Sequence, residues 1–336
     1  MSSKRIGYLD FLKFFAIATV LVGHSTEQLS GDVFWDHPLW AYIYTFHMPL
    51  FMFLSGFFFR SSLKKPFSSV LRSKLVQLGV PSVTAFLIGL GIMAAFRVHA
   101  IADLCEASFM GFMNSVWFLK CLLFCILVMY PAVKLLRNDI AAAVVVSVVV
   151  NLVPGADVVN FNFMLPCFAL GMVCGLHEET VDRQRGKLLV LSAVVFAALL
   201  PFWSGHLTVY EVPTRILDLS AGTVDWANVR ITAYRLAIGL SGTMFFYLLA
   251  PAAYRLIAGW RGAERLLDIG RSTLGIYVVQ TFLLEIAVHC LGIYVARPWS
   301  YLAAFFLAAV ELVLCTVTVR LIERSRWARL LILGSR

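Results

Sequence analysis

The chain consists largely of repeated apolar stretches of about 20 residues, and this pattern restricts its possible folds more than any other feature. A helix of that length crosses a hydrocarbon core about 30 Å thick, and Trp and Tyr recur near the ends of the stretches, as at membrane interfaces. Apolar residues make up 60% of the chain and charged residues 14%, against about 25% charged in soluble domains. The sequence therefore predicts an all-α polytopic membrane protein.

We predict ten membrane-spanning helices, at residues 6–28, 38–59, 75–96, 115–133, 140–154, 160–176, 187–203, 230–254, 272–292 and 299–319. The first stretch is of spanning length and no small-residue cleavage site follows it, so we interpret it as a retained helix and not as a signal peptide. An even number of spans places both termini on the same side of the membrane.

The distribution of basic residues predicts which side that is. Of the 28 Lys and Arg residues, 21 fall in segments on the side of the N-terminus, four on the opposite side and three within spans. Cytoplasmic loops carry the excess of Lys and Arg, so both termini are expected in the cytoplasm. The net charge of +9 then reflects topology and contact with anionic lipid, and does not indicate nucleic-acid binding.

Several kinds of catalytic site are missing from the sequence. The seven cysteines form no C-x-x-C pair and no grouping with His that suits a metal, so no metal site is predicted. No Gly-rich phosphate loop, H-E-x-x-H or G-x-S-x-G motif occurs. The longest stretch outside the spans runs from about Ser204 to Val229. We therefore expect residues 1–336 to form a single membrane domain with no attached soluble catalytic domain.

Two ionisable residues lie within the first span. Lys13 and His24 are eleven residues apart, which places them on one helix face within roughly 20° and about 16 Å apart along the axis. A charge near the bilayer centre costs at least about 2.5 kcal/mol, so this pair predicts a functional site. The alternative is a Lys that snorkels to the cytoplasmic headgroups and a His satisfied by a neighbouring helix.

The second span contains the run F-H-M-P-L-F-M-F-L-S-G-F, residues 46–57. Pro49 lacks a backbone donor, which predicts a kink or opening of the helix near His47. Ser55 and Gly56 remove bulk where another helix or a narrow ligand can approach the backbone, and the sequence leaves both interpretations open. The opposite directions of the first two spans place His24 and His47 at similar depth in their outer halves.

A basic cluster follows this run, consisting of Arg60, Lys64, Lys65, Arg72 and Lys74. It suits a phosphate-rich ligand, but the topology rule alone also predicts such a cluster. Arg235 lies within a later span, where pairing with Glu285 or Glu311 is one arrangement that the sequence allows. Tryptophans near the outer boundaries are interpreted as interfacial anchors, namely Trp35, Trp40, Trp203, Trp226 and Trp299.

The pattern Arg5-x-x-x-Leu9-Asp10-x-x-Lys13, followed by Gly23-His24 and the run at 46–57, resembles the acyltransferase-3 family of integral membrane acyltransferases. The fucose 4-O-acetylase-like branch is the most similar. The resemblance extends over nearly the whole chain, through Arg72-x-Lys74, Trp117-Phe118-Leu119 and Ile269-Gly270-x-Ser272. There are two departures from the family pattern. Lys13 replaces an Arg of many members, which keeps the charge but loses the bidentate geometry, and Gln280 replaces a His.

The resemblance implies transfer of an acyl group, usually acetyl, from cytoplasmic acyl-CoA to a saccharide hydroxyl at or beyond the outer face. With it we expect an integral protein of a bacterial inner membrane. His24 is then expected to act as general base on that hydroxyl. His47 is expected to orient the hydroxyl or to donate to the thioester carbonyl. Lys13 is expected to hold the donor or to stabilise developing negative charge. The residues expected to bind the acyl-CoA are Ser55, Gly56, Arg60, Arg72, Lys74, Trp117 and Lys120.

The expected partners are acetyl-CoA or another acyl-CoA as donor, a saccharide or glycolipid acceptor, and the bilayer, with a homo-oligomer left open. Transfer is either direct or relayed through an acylated histidine. The main alternative function is a proton-coupled secondary transporter, because buried ionisable groups and helix-breaking residues also suit a carrier. An inactive membrane scaffold is a third interpretation, and it leaves the alignment of Lys13 with His24 unexplained.

Overall fold

A computed structural model describes residues 7–96, 108–153, 155–212, 216–218, 222–291 and 294–335, without the side chains of residues 32, 93, 95, 96, 108 and 284–291. Its helices are α1 (Gly7–Ser30), α2 (Pro38–Phe59), α3 (Phe67–Lys74), α4 (Val80–Phe96), α5 (Ser108–Asn114), α6 (Trp117–Leu136), α7 (Asp139–Leu152), α8 (Phe161–Leu176), α9 (Glu178–Arg183), α10 (Arg185–Leu199), α11 (Trp226–Ile257), α12 (Ala263–Arg271), α13 (Thr273–Leu291), α14 (Trp299–Glu323) and α15 (Arg326–Leu333). One antiparallel pair of short strands, β1 (Leu217–Asp218) and β2 (Thr223–Val224), lies in the loop before α11.

The predicted all-α polytopic fold is confirmed. Within the described residues, eight helices are long and apolar enough to cross a membrane, and two shorter apolar helices, Asp139–Leu152 and Thr273–Leu283, stand at the fifth and ninth predicted spans. The third span starts earlier than predicted, because a π-helical turn at Leu75–Gly79 joins α3 to α4. Each of the ten predicted spans therefore has a helical counterpart.

Helix α1 lies at the centre of the bundle. It packs against α2, α11, α12, α13 and α14, whereas α7, α10 and α14 expose large apolar side chains such as Val148, Val190 and Phe306. The polar side chains of α1 therefore lie among other helices and are kept from lipid. Burial of this kind is required for ionisable groups in a membrane protein.

Both described ends of the chain lie at the same end of the bundle. Gly270, at the end of α12, packs against the backbone of Asp10 near the start of α1. Gly275, just inside α13, lies against Leu333 at the end of α15. The two ends therefore meet at the junction between α12 and α13, as an even number of crossings requires.

Helices α2 and α8 are in close backbone contact. A Cβ atom added at Gly56, Gly171 or Gly175 would lie 2.0, 1.9 or 2.4 Å from a backbone oxygen of the facing helix. Gly171 and Gly175 are four residues apart and form the small-x-x-x-small pattern that lets membrane helices approach closely. This contact sets the position of α2 in the bundle.

We predict that Gly171→Ala destabilises the protein by about 1–3 kcal/mol, because the new methyl group overlaps a backbone oxygen that cannot move independently. The control is Gly89→Ala in α4, where an added Cβ meets nothing within 4 Å. That change should be neutral or stabilising by up to about 1 kcal/mol. The measurement is the thermal unfolding midpoint of each purified variant in detergent, and equal midpoints for the two variants would contradict the proposed contact.

Candidate functional site

A polar cluster joins the C-terminal end of α1 to the N-terminal half of α2. This is the end of the bundle that the charge distribution predicts to face outward, and we call it the outer end. His24 Nδ1 lies 2.8 Å from Glu27 Oε2. The other carboxylate oxygen of Glu27, Oε1, accepts a hydrogen bond of 2.7 Å from Trp40 Nε1 and another from the hydroxyl of Tyr44. The Tyr44 ring stands edge-on to the ring of His47, with centroids 4.4 Å apart. We call these five residues the outer polar cluster.

Helix spacing explains how the outer polar cluster forms. His24 and Glu27 are three residues apart on α1, and Tyr44 and His47 are three apart on α2, so each pair shares one helix face. The prediction that the two imidazoles lie at similar depth is thus supported by a chain of contacts through Glu27 and Tyr44. Sequence reasoning missed these two linking residues, although their spacing from each histidine was the available signal.

Trp40 is not the interfacial anchor that its position predicted. Its side chain is fully buried, its indole N–H is donated to Glu27, and its ring stacks on Tyr44 with centroids 3.9 Å apart. By contrast, Trp226 and Trp299 are each 69% exposed, as an anchor requires.

The hydrogen bonds indicate which ring nitrogen of each histidine carries a proton. His47 Nδ1 lies 2.8 Å from the carbonyl oxygen of Ile43, which can only accept, so Nδ1 carries the proton and neutral His47 has a lone pair on Nε2. Helix α2 continues through Pro49 without a break, so it does not open near His47. His24 donates from Nδ1 to Glu27, and among the described residues its Nε2 has no hydrogen-bond partner. In its neutral form each imidazole therefore has its lone pair on Nε2. His47 lines the outer of the two cavities described next, whereas His24 lines neither of them.

A small outer cavity lies beside His47. It has a volume of about 30 Å³ and is lined by aromatic and aliphatic side chains, with a few polar groups. The lining residues include Tyr44, His47, Trp117, Trp203, Thr208 and Arg235. Trp117 reaches the cavity because Val116, in the left-handed conformation at φ +38°, separates α5 from α6 and starts the new helix there. Trp203 is fixed by a 2.8 Å hydrogen bond to the carbonyl of Ala41.

A larger inner cavity of about 210 Å³ lies towards the basic end of the bundle. Its polar lining residues are Ser55, Lys74, Gln77, Thr273 and Tyr277, and its apolar lining includes Phe58 and Phe118. Met48 lines both cavities, and the consecutive residues Trp117 and Phe118 line the outer and the inner one respectively. The two cavities are therefore separated at the level of Met48 and the first turn of α6.

Lys13 lies beside the inner cavity. Its Nζ is 3.1 Å from Asp10 Oδ1 and 4.3 Å from the ring centroid of Phe58, which lines that cavity. The other oxygen of Asp10, Oδ2, lies 3.1 Å from Nε of Arg271. Lys13 and His24 therefore lie towards opposite ends of the same helix, and each has an acidic partner within α1.

Two of the predicted donor-binding residues line the inner cavity. They are Ser55, whose hydroxyl donates to the carbonyl of Phe51 at 2.9 Å, and Lys74, whose Nζ donates to Gln77 Oε1 at 2.7 Å. Arg72 is exposed on α3, one turn of helix before the π-helical segment. Lys74 and Arg72 therefore place positive charge at and near the inner cavity.

The other predicted donor-binding residues lie elsewhere. Gly56 is in the contact with α8, and Trp117 lines the outer cavity. Arg60 donates to Glu178 at 2.6 Å and to the carbonyl of Gly175 at 2.9 Å, which ties α2 to the start of α9. Lys120 is 5% exposed and donates to the carbonyl of Ser115, at the break before α6.

Arg235 pairs with backbone and does not pair with Glu311. It donates to three carbonyls of the loop before α11, those of Leu207, Thr208 and Val212. Glu311 instead accepts a 3.3 Å hydrogen bond from the hydroxyl of Ser25. The side chain of Glu285, the other partner considered, lies outside the described residues. The buried Arg235 thus holds the outer loop over the bundle.

The other described histidines form polar contacts away from the two cavities. Burial lowers the pKa of His37, and the charge of Arg297 lowers it further, while its Nε2 lies 3.0 Å from the hydroxyl of Ser300. His177 and His206 each pair with an aspartate near the surface. Within the described residues, no group of three or more His, Cys, Asp or Glu is arranged to hold a metal ion.

Comparison with known proteins gives the family. The acyltransferase-3 model, described as an acyltransferase domain, matches residues 6–319. Nodulation protein NolL of Sinorhizobium fredii (strain NBRC 101917 / NGR234) is 26% identical over 286 residues, which cover 81% of this chain and 76% of that protein. Nodulation protein NolL of Mesorhizobium japonicum is 38% identical over 76 residues, 21% of this chain and 20% of that protein. No solved structure matches the chain.

The family match extends over both cavities and the outer polar cluster, which lie within residues 24–277. It also covers every residue for which the sequence predicted a role in acyl transfer. The chain belongs to the acyltransferase-3 family and is a membrane acyltransferase.

Proposed function

We propose that this protein transfers an acyl group, most simply acetyl, from cytoplasmic acyl-CoA to a saccharide hydroxyl at the outer face of a bacterial inner membrane. One observation carries the proposal. The inner cavity, which begins at the basic end of the bundle, extends to Met48, and the next residue along α2, His47, lines the outer cavity. A donor from one side and an acceptor from the other can therefore reach the same short segment of α2.

The inner cavity suits the acyl-pantetheine arm of the donor. Such an arm is narrow and alternates apolar and amide groups, and the lining combines Phe side chains with the hydroxyls of Ser55 and Tyr277. Lys74 at the cavity wall and exposed Arg72 would bind the CoA phosphates by charge-assisted hydrogen bonds. Because Lys13 lies at the inner cavity beside Phe58, we assign it to donor binding and not to charge stabilisation at His24.

The reaction itself is assigned to the outer polar cluster. His24 Nε2 removes the proton of the acceptor hydroxyl as the oxygen bonds to the thioester carbon. The C–S bond then breaks, and the imidazolium returns the proton to the leaving thiolate. Glu27, which holds His24 Nδ1 at 2.8 Å, stabilises the imidazolium that forms. The Nε2 lone pair of neutral His47 accepts from a hydroxyl, so of its two expected roles we favour orienting the acceptor.

The first prediction of this proposal concerns His24. Purified protein in detergent should release CoA from acetyl-CoA when a saccharide acceptor is present, without a sealed membrane, whereas a transporter requires two compartments. His24→Ala should lower this rate by about 100-fold or more, since a positioned general base contributes about 10²–10⁴-fold. Glu27→Gln should lower the rate less, because the base remains but loses the carboxylate that stabilises its charged form.

The control for His24→Ala is His177→Ala, at a half-exposed surface histidine paired with Asp139. It should leave the rate unchanged. Full activity of His24→Ala would disprove the base assignment. A labelled acyl-enzyme trapped from the quenched reaction would replace direct transfer with a two-step relay through a histidine.

Donor binding gives a second prediction. Lys74→Gln should raise KM for acetyl-CoA about tenfold with little change in kcat, because it removes a charged hydrogen-bond donor that acts on the donor before and during reaction. The control is Arg183→Gln, an exposed basic residue of α9 outside the inner cavity. An unchanged KM for Lys74→Gln, measured by steady-state kinetics, would remove Lys74 from the donor site.

Met48 gives a third prediction. Met48→Ala should join the two cavities and admit water to the thioester, raising acetyl-CoA hydrolysis without acceptor several-fold. Met52→Ala is the matched control, because Met52 is fully buried in the same helix and lines neither cavity. Both variants lose similar packing, so an equal rise in hydrolysis for both would show that Met48 is not the barrier.

A further inference from the structure

Two buried polar atoms at the outer cavity have no hydrogen-bond partner in the described part of the chain. They are Nη1 of Arg235 and the hydroxyl oxygen of Thr208. Arg235 is 1% exposed and Thr208 is 3% exposed. Buried polar atoms in native proteins are nearly always paired, so these two indicate a group that the chain itself does not supply.

The guanidinium of Arg235 is fixed in position. Nε donates to the carbonyl of Leu207, and Nη2 donates to the carbonyls of Thr208 at 2.7 Å and Val212 at 2.8 Å. Nη1 is the guanidinium nitrogen that has no hydrogen-bond partner among the described residues. Carbonyl oxygens carry only partial charge, and no described carboxylate forms an ion pair with Arg235. The site therefore keeps a buried positive charge with one donor group unused.

Thr208 supplies a second unpartnered donor at the outer cavity. Its carbonyl oxygen accepts from Arg235 Nη2, so the two residues are in contact, and both line the cavity. Together the guanidinium and the hydroxyl offer two donors, which suits the two oxygens of a carboxylate or two oxygens of a phosphate. A neutral sugar hydroxyl would satisfy the hydrogen bonds but would leave the charge uncompensated.

The dimensions of the cavity limit what enters it. A volume of about 30 Å³ holds about two waters, which is room for one substituent and not for a sugar ring. Trp117, Trp203 and Tyr44 line the same cavity, and aromatic side chains of this kind can pack against a sugar ring.

We propose that Arg235 and Thr208 bind an oxyanion substituent of the acceptor, a sugar carboxylate or a sugar phosphate, and so direct a neighbouring hydroxyl towards the outer polar cluster. The inference rests on the proposed function for the role of the ligand as acceptor. The binding site itself stands on the two unpartnered atoms, and its occupancy is measurable without acyl-CoA.

The test is a binding titration of the full-length purified protein, followed by tryptophan fluorescence. The probes are methyl β-D-glucuronide, methyl β-D-glucoside and glucose 6-phosphate. The glucuronide and the glucoside differ only in a carboxylate against a hydroxymethyl group. We expect wild type to bind a charged probe about tenfold or more tightly than the glucoside, the range of one charged hydrogen bond. Whichever of the carboxylate and phosphate probes binds more tightly identifies the source of the oxyanion.

Two variants test the residues. Arg235→Gln should bring the affinity ratio of charged to neutral probe close to one, while Arg235→Lys should keep part of it. Arg235→Gln also removes bonds to the outer loop, so Thr208→Val provides a second test that leaves the backbone carbonyl in place. Thr208→Val should lower the ratio several-fold. Its control is Thr232→Val, since Thr232 also has a buried, unpartnered hydroxyl in the described structure but lies outside the cavity.

The possible outcomes are distinct. The proposal is overturned if wild type binds all three probes with equal affinity, or if none of the three probes binds. It is also overturned if the affinity ratio of charged to neutral probe is unchanged in both Arg235→Gln and Thr208→Val. A fall in kcat on Arg235→Gln with unchanged preference would assign Arg235 to the reacting carbonyl and also overturn the proposal. Selective binding in a protein that releases no CoA would keep this site and reject the acyltransferase reaction proposed above.

Discussion

The central position of α1 is the constraint on which the site depends. A helix enclosed by five others can carry ionisable groups only where each finds a partner within the protein, because charge in lipid is expensive. In α1 the nearest partners lie on the same helix, Glu27 for His24 and Asp10 for Lys13, each three residues away. Each functional side chain is therefore oriented by its own helix, and the surrounding helices add further contacts, such as those of Tyr44 and Arg271.

Helix α2 combines a packing face with a reaction face. Gly56 lies so close to α8 that no side chain fits there, which fixes the rotation of α2 about its axis. The neighbouring Ser55 opens onto the inner cavity, and His47, just over two turns earlier, opens onto the outer one. Because successive residues turn by about 100°, one helix can meet both demands. The run at residues 46–57 therefore serves packing and the candidate site together.

The sequence was most informative where a single helix determines the outcome. Apolar length predicted the spans, and helical spacing predicted that Lys13 and His24 share one face of the first helix, about 16 Å apart along its axis. It was least informative where the partner is backbone or comes from a distant segment. The carbonyls that hold Arg235 belong to a loop with no motif, and Arg60 meets an acid that follows it by 118 residues. Burial of Trp40 was missed because the same residue type at a helix end also anchors membrane proteins.

The separation of the two cavities bears on how such an enzyme prevents the leakage of solutes across the membrane. In the proposed reaction only the acyl group crosses the barrier, so neither CoA nor saccharide needs a continuous passage. A barrier as thin as the Met48 side chain and the first turn of α6 is then enough, since the thioester carbon needs to travel only as far as the acceptor oxygen. Methionine suits this position, because its unbranched side chain can change rotamer without moving the helix. A wider opening would admit water, and hydrolysis would compete with transfer. The closed arrangement of two cavities around one flexible residue is therefore what the proposed chemistry requires of the resting protein.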